Sequence, residues 1–275
     1  MSKDAMDAIT AARLKGVRMV GEAIVASISV PHDKMWHPDF DTAASHTLSP
    51  PLRSAAHVAA LQAGLAQGFL ACVGSDHAAF NSSQKRLGRH DFRDIPVSGN
   101  GIEERFVVTW SVLVGSGLAP ATRFVEVTST AAAKMWGLYP RKGHIAAGSD
   151  ADIVVFDPKD STTFSAKTHH SAIDTSLWEG YTASGRVLTT VSRGRVVWDA
   201  GTLVGIAERR GSGRFVPAGT FGSLYDGLDI SARVADATTY PAERYGTVPV
   251  KRDGDGGGAP VEEGAGTHAD SHAEL

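Results

Sequence analysis

One cysteine in 275 residues, a net charge of only -3, and few aromatics (7%) remove several classes of protein at the outset. Cys72 has no intramolecular partner, so a disulfide-stapled secreted scaffold is excluded, as are zinc fingers of the cysteine type, and a reducing compartment is expected. Lys and Arg total 27 against 30 Asp and Glu, which gives no bulk attraction to nucleic acid or to an anionic membrane. No apolar run approaches the roughly 20 residues that cross a bilayer, and the opening MSKDAMDAITAARLKG is charged and helical, unlike a signal peptide. A cytoplasmic protein is the expectation. With 42% hydrophobic residues, a packed core is within reach and wholesale disorder is not.

The first third alternates helical and strand signals. Met6, Ile9 and Ala12 recur at helical spacing behind a capping Ser2, and Gly16 stops that helix. The β-branched run 17–25 predicts a strand, 54–68 a helix through Val58, Leu61 and Leu65, and 69–74 (FLACVG) a buried strand. Helix, strand, helix, strand is the order of parallel-sheet architecture, and two such units cannot close a barrel. After a polar loop, 101–116 predicts an apolar helix ended by Gly117. Pro120 opens another, and a short helix over 129–137 has Ser129 or Thr130 as its cap. From 143 the pattern turns to short β-rich runs (143–157, 185–191, 193–198) broken by glycine, which predicts an antiparallel sheet or sandwich. The domains expected are thus 1–140, 141–216 and an extension over 217–275. That extension is Gly-, acid- and His-rich from about 253 and is expected to be disordered there.

Gly74-Ser75-Asp76-His77 puts a carboxylate and an imidazole directly after an apolar strand, where α/β proteins keep their active sites. Asp76 can bind a metal or act as a general base there, or merely cap a turn. Ser49-Pro50-Pro51-Leu52-Arg53 occupies a second strand-to-helix loop. Its prolines hold the chain extended and leave Ser49's main chain available to a ligand, or simply lead into the helix. Asn100-Gly101 is first a turn signal, with ligand binding as the alternative. The glycines of the β-rich region lack the strand-to-helix context of a phosphate loop. His169 and His170 would point to opposite faces of a strand, which disfavours joint metal ligation. Glu103 and Glu104 suit a helix start, and Cys72 a buried strand position.

The segments VGSDHAAFN, SGNGIEER, FVEVTSTAAAKMWGLYPRKGHIAAGSDADIVVFDP, SAKTHH, EGYTASGRV and VSRGRVVW resemble, in this order, the carboxyl-terminal half of the dihydropyrimidinase and D-hydantoinase family of the amidohydrolase superfamily. The likeness runs from the first residues to about Pro217. It implies an α/β fold: the carboxyl-terminal part of a metal-dependent (β/α)8 barrel plus a small all-β sandwich. It also implies hydrolysis of the cyclic amide of dihydropyrimidines or 5-substituted hydantoins, with two zinc ions activating a hydroxide. Asp76 falls on the position of a zinc ligand that also shuttles the proton to the leaving nitrogen. Ser49 and Asn100 fall on the positions that hold the ring through main-chain groups. The resemblance further implies a homotetramer, with no nucleic-acid or membrane partner.

The family's His-x-His pair, carbamylated lysine and two further histidines have no counterpart in this sequence. A catalytic zinc usually takes three protein ligands. The expectation is therefore a fragment, metal-free and inactive by itself. The second reading is a non-enzymatic interaction protein, like the collapsin response mediator relatives. Asp76 and Phe80-Asn81 favour the enzyme.

Overall fold

The computed structural model describes residues 1–205 and 211–218, all within one compact unit, Met1–Asp226. Helix α1 (Lys3–Leu14) starts where Ser2 accepts a hydrogen bond from the Ala5 amide and ends before Gly16 at φ 83°. Strand β1 is only Glu22–Ile24. The β-branched run predicted a longer strand, but it turns at Val25–Ile28 into a single 3-10 turn whose residues are all buried. Short helix α2 (Phe40–Ser45) is capped by Asp39. Helix α3 (Ala55–Gln67) closes on Gly68 at φ 88° and buries Leu61 and Leu65. Strand β2 (Cys72–Gly74) then returns parallel to β1, pairing Ala23 with Val73.

The loop after β2 contains a one-turn helix, α4 (Ser82–Lys85), capped by Asn81. Helix α5 (Glu104–Trp110) runs on through a π-helical turn at Ser111–Gly115. That turn brings Ser111 Oγ within 3.1 Å of the Ser184 amide, so the helix grips the following sheet. Helix α6 (Ala121–Val125), a second π turn (Glu126–Thr130) and α7 (Ala131–Met135) form one continuous run. Ser129 and Thr130 were expected to cap a separate helix. Thr130 instead has helical angles and donates its hydroxyl to the Gly143 carbonyl.

Among the described residues, β3 (Ile153–Thr163), β4 (Thr182–Ser192), β5 (Arg195–Asp199) and β6 (Thr202–Leu203) form an antiparallel sheet in that order. The β signal from 143 begins as turns, and the strand itself starts at Ile153. A box of four aromatic rings joins helices to sheet: Phe106 and Trp110 of α5 meet Phe124 of α6 and Phe156 of β3, with centroids 4.8–5.5 Å apart and edge-to-face. Gly185 leaves room for the Phe156 ring, since a β-carbon there would lie 2.0 Å from it. The core continues under β1 and β2 through Val25, Ile28, Leu65 and Val108. Among the described residues no helix is long and apolar enough to cross a membrane. The extension expected over 217–275 lies outside the described residues except for 217 and 218.

Candidate active site

Ala23 of β1 and Cys72 and Val73 of β2 carry the strand pair into the core, and both strands lead into loops at their carboxyl ends. Asp76 stands two residues past β2 with φ 48°. An aspartate tolerates this left-handed geometry better than most side chains. Its carboxylate is exposed and makes no hydrogen bond among the described residues, whereas its carbonyl accepts from Ser98 Oγ at 3.1 Å. Next to it, His77 pairs with Gly99 in a parallel bridge, and its Nδ1 accepts weakly from the Ile102 amide at 3.4 Å.

Ser98 is the junction of the site. Held at φ 114°, it donates its amide to the Thr47 carbonyl (3.1 Å) and its hydroxyl to Asp76. Its own carbonyl accepts from Lys85 Nζ at 2.7 Å. Lys85 is 2% exposed, also donates to the Pro96 carbonyl at 2.9 Å, and burial pulls its amine down to about 8. The strand-end loop, the 96–101 loop and the segment leading to Ser49 are therefore tied at one residue. Ser49 itself is exposed, after buried Leu48 and before a cis peptide bond to Pro50. Helix α3 starts only after Ser54, so the proline pair lies upstream of its cap. Among the described residues no hydrogen bond joins Ser49 directly to Asp76 or Asn100.

Asn100 is 3% exposed, and its side chain is committed inward. Nδ2 donates to Glu104 Oε1 (2.6 Å) and Ser176 Oγ (3.2 Å), while Oδ1 accepts from the Leu177 amide (2.9 Å). Only its main chain is left to meet a ligand. Gly101 is pressed against the end of β2: a β-carbon there would lie 2.6 Å from the Ser75 carbonyl oxygen. The structure thus brings the Asp76 and Asn100 loops into contact and holds the Ser49 segment beside them through Thr47.

Several residues depart from the sequence expectations. Glu104 opens α5 as expected, with Glu103 before it, but it has no exposed surface. Burial, ahead of its hydrogen bonds, raises its acid above the ordinary carboxylate range. His169 and His170 lie in a turn segment after β3, not on a strand. They look to separate partners, Ile173 for one and Glu103 for the other. Cys72 is buried as expected, and burial with the neighbouring Glu22 carboxylate pushes its thiol up to about 12, which disfavours the reactive thiolate. Sequence reasoning missed Lys85, Ser98 and Glu104. Lys85 and Ser98 sit in a polar loop with no periodicity to mark them, and Glu104's role depends on a partner 65 positions away, His169.

Among the described residues no three His, Cys, Asp or Glu side chains gather into a group that could hold a metal ion. Asp76 is one potential ligand where a catalytic zinc needs three.

Residues 2–197 match the model of the amidohydrolase family. Dihydropyrimidinase from Arabidopsis thaliana is 42% identical over 248 residues, 90% of this chain and 46% of that protein. The crystal structure of dihydropyrimidinase from Brevibacillus agri superposes with a TM-score of 0.77 at 41% identity, covering 80% of this chain and 47% of that one. Human dihydropyrimidinase-related protein 5 is 39% identical over 221 residues, 80% of this chain and 39% of that protein. The chain spans about half the length of the curated dihydropyrimidinases it matches.

Proposed function

Because the chain belongs to the amidohydrolase family, we propose that it forms the carboxyl-terminal part of a dihydropyrimidinase- or D-hydantoinase-type site, acting on the cyclic amide of dihydropyrimidines or 5-substituted hydantoins. The observation that carries this reading is the Ser98 junction, which holds the Asp76, Asn100 and Ser49 segments together past the ends of two parallel strands. A cyclic diamide presents alternating N–H and C=O groups along one edge. Main-chain groups of Ser49 and Asn100 are the natural complement to such an edge. Asp76, exposed and without a hydrogen-bond partner among the described residues, is free to exchange a proton with a ring nitrogen.

In this reading residues 1–140 belong to a (β/α)8 barrel and 141–216 to a small β-sandwich. The parallel β1–β2 pair and the antiparallel β3–β6 sheet support that division. Members of the family are typically metal-dependent. The described residues do not fit the zinc pair by themselves, and Asp76 is proposed as one of its ligands only. A homotetramer and a cytoplasmic setting rest on the resemblance alone.

Amide-resolved NMR with 5,6-dihydrouracil as the probe tests the site. Shifts at Ser49, Asp76 and Asn100 that saturate together are expected. Saturable shifts confined to other parts of the chain would contradict the assignment.

A further inference from the structure

Residues 169–178 form a strap across the loops that follow the parallel strands, and distant residues hold it in place. Trp178 Nε1 donates to Ser29 Oγ at 3.0 Å, Ser82 Oγ donates to Asp174 Oδ2 at 2.7 Å, and Leu177 donates to Asn100. Beneath the strap lies a buried pair. Glu104 is wholly buried, and the His169 side chain is 2% exposed. His169 Nε2 is 3.0 Å from the Ile173 carbonyl, which can only accept, so the ring carries its proton on Nε2. Nδ1 is then a bare acceptor, 4.0 Å from Glu104 Oε1. Among the described residues neither Nδ1 nor Glu104 Oε2 has a hydrogen-bond partner.

Glu104 Oε1 is met by Asn100 Nδ2, so the unmet acceptors are His169 Nδ1 and Glu104 Oε2, and burial penalises both heavily. A single added proton removes the conflict, whether it rests on the carboxyl or on the ring. The other charged groups around the pair are already engaged. Glu103, on the same helix turn, is taken by His170, whose Nδ1 lies 3.0 Å from its Oε1. Glu179 accepts from Ser165 Oγ and the Ala166 amide, with Lys167 nearby.

We propose that Glu104 and His169 bind one proton jointly, and that this proton locks the strap onto the Asn100 loop. Both then serve as positioning residues for the main chain of Asn100. The functional half of the proposal rests on Asn100 being a ligand-binding residue; the shared proton does not. The buried acid favours the folded arrangement while protonated, and that contribution is lost as pH rises through its folded midpoint. The strap is therefore tight on the acid side and loosens on the alkaline side.

The test uses the full chain with labelled glutamate carboxyls and histidine rings, titrated by NMR across roughly pH 4 to 10. The Glu104 carboxyl and the His169 ring nitrogens are expected to share one midpoint above the ordinary carboxylate range. Protection of the Leu177 amide from exchange is expected to fall about tenfold above that midpoint. Glu104 titrating alone near ~4.3, with His169 following separately, overturns the proposal. Glu104→Gln supplies a neutral donor to Nδ1 and should make Leu177 protection independent of pH, which a merely structural side chain would not do. Should that variant fail to fold, the wild-type titration decides by itself. A shared midpoint alongside a dihydrouracil titration that leaves Asn100 unmoved would refute the ligand reading while upholding the proton.

Discussion

Lys85 is a buried cation that leans on two carbonyl oxygens, Pro96 and Ser98, and on no carboxylate among the described residues. Burial lowers its amine from the ordinary 10.5 to about 8, so near neutral pH the folded state holds a charge it disfavours. The sign follows: a depressed lysine contributes stability above its unfolded pKa and loses it as pH falls through its folded one. Comparing wild type with Lys85→Met by urea unfolding should therefore show the difference moving by about 1 kcal/mol in favour of wild type between roughly pH 7 and 9. A pH-independent difference would mean that the amine is not desolvated. At this scale the sequence singled out Asp76, Asn100 and Ser49 as candidates, because each stands in a short motif after a strand or before a helix. It hid Lys85, Ser98 and Glu104, whose meaning comes from partners brought in by the fold. A buried lysine in a polar loop reads like any surface lysine until the carbonyls that receive it are known.

Helix ends were the most legible features among the elements. Ser2, Gly16 and Gly68 act as caps and stops because their chemistry is local. What local chemistry could not reveal was tertiary: the π turns at Ser111–Gly115 and Glu126–Thr130 exist where helices must fit against neighbours, and strand β1 stops where the chain dives into the core as a 3-10 turn. Close approach between elements is where the site is most sensitive. Gly101 lets the Asn100 loop rest on the end of β2, and backbone atoms, which cannot swing aside, would meet any side chain there. Gly101→Ala should destabilise by about 1–3 kcal/mol in urea unfolding. It should also weaken 5,6-dihydrouracil binding at least about tenfold, since ~1.4 kcal/mol of lost positioning suffices for that. Unchanged stability and binding would show that the two loops need not touch.

Across the whole described unit, the helical part is joined to the antiparallel sheet and to the strap between β3 and β4 by the four-ring aromatic box, the Ser111–Ser184 bond and the polar contacts of residues 169–178. The strap explains why SAKTHH, a stretch with no catalytic signature of its own, belongs with the loops that precede it. It supplies His169 to Glu104 and leads to Leu177, which binds Asn100. The family and its parallel-then-antiparallel order were legible in the sequence; this cross-chain bracing was not, because it links positions 65 to 149 residues apart. The central claim is that Asp76 handles a proton in cyclic amide hydrolysis. The direct measurement is 5,6-dihydrouracil ring opening by the chain combined with zinc and the amino-terminal part of a dihydropyrimidinase, comparing wild type with Asp76→Asn, a change that tolerates the φ of 48°. Loss of at least about 100-fold in rate is the predicted result; ring opening at the wild-type rate would contradict the account.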